Sequence, residues 1–170
     1  MKPVKVFIAG SRAISRLNDP LRQRLDRIIA EGHSVLVGDA NGADKIVQKH
    51  LADHRYADVV VYCTGMRCRN NLANWPTHPT PPPAGVHGGF EFYAAKDRAM
   101  ASDATHGLML WDGESRGTFT NINNLVSEGK PVVVYVGPSK SFMNVKTQSD
   151  IDALLELANP VGRQKEHHTA

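Results

Sequence analysis

Val4-Lys5-Val6-Phe7-Ile8-Ala9-Gly10-Ser11-Arg12, near the start of the chain, gives the clearest indication of the fold. A continuous apolar run that stops at a glycine is typical of a strand whose two faces are both covered. Strands of this kind belong to parallel sheets that carry helices on their faces. The stretch therefore predicts that helices and further buried strands follow it.

The rest of the chain alternates between helical and strand patterns. Asp19-Pro20 begins a helix whose apolar residues recur at helical spacing until Gly32 ends it. Strands separated by helices require right-handed crossovers and a parallel sheet. We therefore predict an α/β fold, namely a single Rossmann-like three-layer domain with a five- or six-stranded, mainly parallel sheet. The strands after the first are expected at 35–37, 58–62, 107–111 and 132–136, with an edge strand at 141–146.

The domain boundaries follow from length and composition. A chain of 170 residues suits one domain, which we place at 1–159, and the polar tail at 160–170 is expected to be flexible. Residues 64–89 interrupt the alternation with many prolines and glycines, which predicts an insertion without regular structure. A loop of this length is a lid, a binding loop or a solvent-exposed insertion without function.

Composition also sets the expected partners and location. No apolar run is long enough to span a membrane. Cys63 and Cys68 match neither a disulfide framework nor a zinc pattern, which predicts reduced thiols, a cytoplasmic location, no metal and no cofactor. The densest arginine group, at 12–27, has no aromatic residues alternating with it, so nucleic acid is disfavoured as a partner. Exposed apolar helix positions indicate a homo-dimer or higher oligomer.

Three loops after predicted strands carry residues suited to holding a ligand. Ligands on such sheets bind beyond the carboxyl ends of the strands, where glycines allow close approach and arginine binds phosphate. Asp39 or Asp44 could accept hydrogen bonds from sugar hydroxyls, although Asp44 equally suits a helix start. Each loop by itself is also compatible with an ordinary turn. The ligand-binding residues predicted in these loops are Gly10, Ser11, Arg12, Gly38, Asp39, Asn41, Gly42, Asp44, Asp112, Gly113, Ser115, Gly117 and Thr118.

Together these loops resemble the SLOG superfamily of Rossmann-like proteins. That group includes the "lonely guy" phosphoribohydrolases, once labelled lysine decarboxylases, and the DNA-processing recombination mediators. The resemblance covers roughly residues 4–136 and rests on segments 10–12, 38–44, 96–100 and 112–118. Gly-Ala-Asp at 42–44 and Lys-Asp-Arg-Ala-Met at 96–100 are most similar to the YspA-like branch. Nucleoside 2-deoxyribosyltransferases share a similar final loop and are the nearest alternative.

The resemblance implies a nucleotide-like, phosphate-bearing small-molecule ligand, with Lys96 among its contacts. In the phosphoribohydrolases a glutamate follows Gly-Thr after two residues, but Asn121 stands there in this sequence. An amide cannot act as a general base, although it can bind a base edge or a ribose hydroxyl. We therefore predict a binding or sensing module.

The alternative is an N-glycosidic bond hydrolase or transferase that acts on nucleoside monophosphates. Because Asn121 cannot supply the carboxylate, another acid would have to act. Asp97 is the first candidate, because the helix that carries it precedes the strand at 107–111, and Glu91 and Asp39 are weaker ones. Asp97 equally suits an ion pair with Lys96 or Arg98.

Overall fold

The structure is a computed structural model and describes residues 3–159. The tail predicted at 160–170 lies outside the described residues. No helix within residues 3–159 is both long enough and apolar enough to cross a bilayer. In chain order the elements are β1 (Lys5–Gly10), α1 (Asp19–Ala30), β2 (Ser34–Val37), α2 (Ala43–Asp53), β3 (Val59–Thr64), β4 (Thr77–Thr80), α3 (Gly89–Asp103), β5 (His106–Trp111), α4 (Arg116–Ser127), β6 (Val132–Val136), β7 (Ser141–Val145) and α5 (Gln148–Ala158).

The described strands form one seven-stranded sheet in the order β4-β3-β2-β1-β5-β6-β7. Strands β1 to β6 are parallel, and β7 pairs with β6 in the antiparallel direction. The chain runs outward from β1 through β2 to β4 and then returns to β5, on the other side of β1. The predicted single α/β domain with a mainly parallel sheet is therefore confirmed.

Both faces of the sheet are covered, which explains the unbroken apolar run in β1. Val6 and Ile8 pack with α1 and α2 on one face, in a cluster that includes Leu21 and Val47. Phe7, between them in sequence, points to the other face and joins a cluster built with α3, α4 and α5. Successive side chains of a strand alternate between faces, so both sets must be apolar when neither face meets water.

The sheet has one strand more than the five or six that the sequence predicted. The additional strand is β4, which lies inside the 64–89 segment, where the sequence predicted no regular structure. That prediction is wrong for Thr77–Thr80, which pair in parallel with β3. The Val61 amide donates to the Pro76 carbonyl at 3.0 Å, and the Gly65 amide donates to Thr80 at 2.9 Å. Pro79 is compatible with this pairing because β4 is an edge strand, where a missing N–H can face outward.

The first half of the 64–89 segment is also fastened to the domain. Cys63 and Cys68 form a disulfide, with their Cα atoms 5.1 Å apart, so the prediction of two reduced thiols is wrong. The cytoplasmic location was predicted partly from reduced thiols. Because the two cysteines are joined, this support is lost, and the location stays a prediction. Trp75 is buried, and its indole N–H donates to the Tyr56 carbonyl at 2.8 Å. The segment is therefore an ordered part of the domain up to β4.

Candidate functional site

The candidate site is a cleft of about 680 Å³ beyond the carboxyl ends of β1 and β5. The strand order reverses between these two strands, and open α/β sheets bind their ligands at that point. The predicted site residues that line the cleft are Gly10, Arg12, Asp44, Lys96, Asp97, Asp112, Ser115, Gly117, Thr118 and Asn121. The predicted residues outside its lining are Ser11, Gly38, Asp39, Asn41, Gly42, Gly113 and Glu91.

Two of the predicted glycines bring protein segments together beside the cleft. A Cβ atom on Gly10 would lie 2.5 Å from the Leu110 carbonyl and 2.7 Å from Ala43 Cβ. Gly42 has a φ of +82°, and a Cβ there would lie 2.5 Å from the Cα of Arg12. These glycines therefore allow β5, α2 and the loop after β1 to meet, and Gly42 fixes where the Arg12 backbone lies.

Ser11 connects the first and third predicted loops. Its side chain is almost completely buried, and its Oγ accepts a hydrogen bond from the Asp112 amide at 3.0 Å. Its own amide donates to Leu110 at 2.9 Å, and its carbonyl accepts from Ala43 at 3.3 Å. The predicted contact of Ser11 with a phosphate stays a prediction, and its hydrogen bonds in the structure join the first loop to the third.

The third loop is organised by Asp112 and Ser115. Asp112 Oδ1 accepts from the amides of Glu114 at 2.9 Å and Ser115 at 2.8 Å. Burial by itself would raise the pKa of Asp112, but these amide hydrogen bonds outweigh it and hold the pKa below its usual range. Ser115 then caps α4, because its Oγ accepts from the Thr118 amide at 3.4 Å. Helix α4 thus begins at the cleft with its first turn held in place.

A buried cluster of Asp44, Lys96 and Asp97 lies at the cleft and is here called the carboxylate–lysine cluster. Lys96 Nζ donates to Asp97 Oδ1 at 2.8 Å, and the other Asp97 oxygen accepts from Asn121 Nδ2 at 3.2 Å. Gly38 makes room for this cluster, because a Cβ there would lie 2.5 Å from Asp44 Oδ2. Asp97, the first catalytic candidate, therefore has both oxygens engaged by protein groups.

The cluster shifts the pKa values of its members in a way that burial and charge explain. Burial raises the pKa of Asp44 to about 6, although the charge of Lys96 opposes the shift. Burial acts in the opposite sense on Lys96, but the charges of Asp97 and Asp44 outweigh it and raise the pKa of the ammonium group. Asp44 Oδ1 is buried and has no hydrogen-bond partner in the described structure.

The second predicted loop contacts the 64–89 segment. Asp39 is 2% exposed, and its carboxylate accepts from both the Arg69 amide and the Arg69 guanidinium at 2.8 Å. Asn70 Nδ2 donates to the Asp39 carbonyl at 2.8 Å and to Asn41 Oδ1 at 3.0 Å. Asp39 therefore holds Arg69 beside the cleft, while Asn41 contacts the neighbouring Asn70.

Three arginine side chains lie over two aromatic rings that line the cleft. The Arg69 guanidinium carbon lies 4.1 Å from the centre of the Tyr93 ring, and Arg12 lies 6.0 Å from the same centre. Arg116 lies 4.0 Å from the centre of the Phe90 ring. These distances are within the range of cation–π contacts. We call these five residues the arginine–aromatic rim.

Only Arg12 of this rim was predicted from the sequence. The prediction about nucleic acid considered only aromatic residues that alternate with arginines along the chain. In the structure the rings come from α3, two of the arginines come from loops, and Arg116 is the first residue of α4. A usable signal was present: Phe90 and Tyr93 stand three residues apart at a helix start, and this spacing places two side chains on one helix face. Arg98 also lines the cleft, although the sequence analysis treated it only as a partner for Asp97.

Two solved structures share this arrangement of strands and helices. DNA processing protein A from Helicobacter pylori superposes with a TM-score of 0.58 over 78% of this chain and 65% of its own, at 16% identity. DNA processing protein A from Streptococcus pneumoniae gives a TM-score of 0.58 over 78% of this chain and 50% of its own, at 17% identity. This chain has the fold of DNA processing protein A. No protein-family model matches the chain, and no curated protein sequence matches it.

The likeness to DNA processing protein A supports the SLOG resemblance at the level of the fold. The chain spans about two thirds and half, respectively, of the lengths of these two proteins. The shared fold does not test the assignment to the YspA-like branch or to the lysine-decarboxylase-like proteins, and both stay predictions.

The comparison corrects the predicted function and the predicted partners. DNA processing protein A from Helicobacter pylori is described by its binding mode for single-stranded DNA, not for a small nucleotide. The predicted small nucleotide-like ligand is therefore wrong, as is the alternative of N-glycosidic bond chemistry by Asp97 or Glu91. The prediction that disfavoured nucleic acid is also wrong, because it looked for basic and aromatic residues in one stretch of sequence. The predicted oligomer stays a prediction.

Proposed function

We propose that the chain binds single-stranded DNA in the cleft and that the arginine–aromatic rim is the contact surface. Proteins that bind single strands without reading sequence combine a positively charged groove with rings on which bases stack. The rim provides both elements at one opening, with Arg12, Arg69 and Arg116 beside Tyr93 and Phe90. The placement of arginines over aromatic rings is the observation that carries the proposal, and the fold shared with DNA processing protein A supports it.

The cations of the cleft differ in how freely they can meet a phosphate. Lys96 is buried and forms an ion pair with Asp97, and Arg69 forms an ion pair with Asp39. Arg12, Arg98 and Arg116 are exposed and form no ion pair with any residue in the described part of the chain. These three arginines are therefore the ones that we assign to the phosphates of the strand.

The rings would act together with the arginines that lie over them. Tyr93 and Phe90 are half-buried in the first turns of α3, so the helix fixes their positions. An arginine held above a ring presents a flat cation, and bases stack on guanidinium planes as well as on rings. Stacking of this kind tolerates any base, so we expect weak sequence preference.

The start of α4 offers one further contact for the strand. A Cβ atom on Gly117 would meet no atom within 4 Å, so the helix surface there is open to a ligand. Backbone amides at a helix N-terminus favour negative charge. We assign Gly117 to a phosphate of the strand, whereas Thr118 and Asn121 are almost completely buried and support the cleft from below.

Fluorescence anisotropy with a labelled oligothymidine of twenty nucleotides tests the proposal. We expect saturable binding that weakens as salt is added, and much weaker binding of a duplex of the same length. In the double variant Arg12→Ala/Arg116→Ala the slope of log affinity against log salt should become shallower by about 0.7 for each phosphate that is no longer neutralised. Arg27→Ala is the matched control, because Arg27 is exposed in the last turn of α1 and, unlike Arg12 and Arg116, neither lines the cleft nor lies over a ring that does.

Three results would contradict the proposal. One is the absence of binding at 50 mM salt, where electrostatic contacts are strongest. Another is equal affinity for the single strand and the duplex. The third is an equal loss of affinity in Arg27→Ala and in the double variant, which would indicate a general charge effect instead of a site.

A further inference from the structure

Asp26, His50 and His54 form a compact group of metal-ligating side chains away from the cleft. Asp26 lies in α1, whereas His50 and His54 are one helical turn apart at the far end of α2. The group consists of Asp26 Oδ1, His50 Nε2 and His54 Nε2, which lie within 4.8 Å of one another. Helix α2 begins beside the cleft and is about 16 Å long, so the group lies toward the opposite end of the sheet.

A hydrogen bond fixes which nitrogen of His54 can bind a cation. His54 Nδ1 lies 2.8 Å from the carbonyl oxygen of His50, and a carbonyl can only accept, so Nδ1 carries the hydrogen. The neutral ring then has its lone pair on Nε2. A hydrogen bond to a backbone carbonyl orients metal-binding histidines in the same way.

His54 also lies close to the carboxylate of Asp26. Its Nε2 is 3.4 Å from Asp26 Oδ1, so in the neutral ring two electron-rich atoms are neighbours. His50 Nε2 lies 2.8 Å from the same oxygen, which one proton can bridge. A divalent cation between the three atoms would satisfy both imidazoles and the carboxylate at once.

We propose that Asp26, His50 and His54 bind a zinc ion. Zinc–nitrogen and zinc–oxygen bonds of about 2.0–2.1 Å in a tetrahedral site place neighbouring ligand atoms roughly 3.3 Å apart. The distances of 2.8 and 3.4 Å to Asp26 Oδ1 bracket that separation. Imidazole with a single carboxylate suits zinc better than calcium or magnesium, which prefer oxygen ligands.

The surroundings of the group allow an ion to enter and to be held. The His50 side chain is 7% exposed and provides a fixed ligand, while His54 and Asp26 are 44% and 51% exposed. A water molecule would complete the fourth position from the solvent side. Binding displaces the proton between His50 and Asp26, and the ion then connects α1 to α2. No metal was predicted from the sequence because only the spacing of Cys63 and Cys68 was considered, and Asp26 stands 24 residues before His50.

The binding test uses the full chain without an added histidine tag, first treated with a chelator. Competition against a chromophoric zinc chelator measures affinity and stoichiometry, and thermal unfolding with and without zinc chloride measures stabilisation. We expect one zinc ion per chain and a higher Tm with zinc. Asp26→Asn and His54→Gln should each bind zinc roughly tenfold more weakly or worse, because even supporting residues of zinc sites have effects of that size.

Two control variants separate this site from other histidines. His33→Gln changes a histidine that contacts Glu31 and lies outside the group. His167→Gln/His168→Gln removes the paired histidines near the end of the chain. Both controls should keep the zinc affinity of the parent. The proposal is overturned if the parent binds no zinc, if Asp26→Asn and His54→Gln bind it unchanged, or if either control loses it.

Discussion

Lys96 Nζ lies 2.8 Å from Asp97 Oδ1, and the lysine side chain is 5% exposed. A buried ammonium group is stable only when opposite charge and hydrogen bonds compensate for the water it has lost. Asp97 supplies both, and the nearby Asp44 adds a second negative charge. The ion pair therefore forms part of the structure that supports the cleft.

Lys96→Met should destabilise the protein strongly. Removing one partner of a buried ion pair costs about 3–5 kcal/mol, because the remaining charge stays buried without compensation. Urea unfolding at pH 7 measures the change. The double variant Lys96→Met/Asp44→Asn should recover part of the loss, since it removes one of the carboxylates left behind. An unchanged unfolding free energy in the single variant would show that this ion pair contributes nothing.

The raised pKa of Asp44 predicts a pH dependence of stability. Its pKa is about 6 in the folded chain against 3.8 for the ordinary group, so the native state holds the proton more tightly. The free energy of unfolding from this group therefore falls as pH rises from about 4 to about 6, and the penalty is complete above that range. Its size is at most about 3 kcal/mol, since one pKa unit corresponds to about 1.4 kcal/mol.

Asp44→Asn isolates this effect from other titrating groups. We expect the stability difference between the variant and the parent to move in favour of the variant as pH rises from 4 to 7. Urea unfolding at unit steps of pH measures it. A difference that stays constant across that range would mean that Asp44 titrates as an ordinary surface carboxylate.

Gly42→Ala should displace Arg12 as well as destabilise the chain. The substitution meets two obstacles, a φ of +82° and the backbone of Arg12. Gly129→Ala is the matched control, because Gly129 has a φ of +73° and no atom within 4 Å of the added Cβ. The control should lose about 1–2 kcal/mol from the left-handed backbone alone. Gly42→Ala should lose more, and its affinity for oligothymidine should fall; equal effects would exclude a close contact with Arg12.

Tyr93 should account for part of the affinity for a single strand. Tyr93→Ala is expected to weaken oligothymidine binding by about 1–3 kcal/mol, the range measured for the loss of one stacked base. Tyr93→Phe keeps the ring beneath Arg69 and should bind within about 0.5 kcal/mol of the parent. Anisotropy titrations of the three proteins give the comparison. If Tyr93→Phe loses as much as Tyr93→Ala, the hydroxyl and not the ring is responsible.

Most of the fold could be predicted from the sequence because a strand that is buried on both faces has an unbroken run of apolar residues. The apolar run Val6-Phe7-Ile8-Ala9 belongs to β1, which is paired in parallel on both sides, and Gly10 at its end lines the cleft. Strand β4 has no such run. Its residues are exposed or half-buried, and its prolines are typical of a loop, so only its pairing with β3 reveals it.

The site was predictable in position but not in composition. Arg12, Asp112 and Gly117 follow strand ends, and the rule for parallel sheets places strand ends together. Arg69 is held at the cleft by Asp39, and this contact joins residues 30 positions apart in sequence. Arg116 and Phe90 are also far apart in sequence. Local pattern carries no information about such pairs.

Strand β4 also limits how copies of this chain can associate. The carbonyls of Pro76 and Thr80 accept hydrogen bonds from β3. Backbone groups of successive residues in a strand point to opposite sides, so those of Thr77 and Pro79 point to the open edge. Proline has no N–H, so this edge presents a single amide donor from β4 to an incoming strand. Sheet extension from chain to chain, the first step toward fibrous aggregates, is therefore opposed at this edge, so pairing of strands between copies would have to use β7 at the other edge of the sheet.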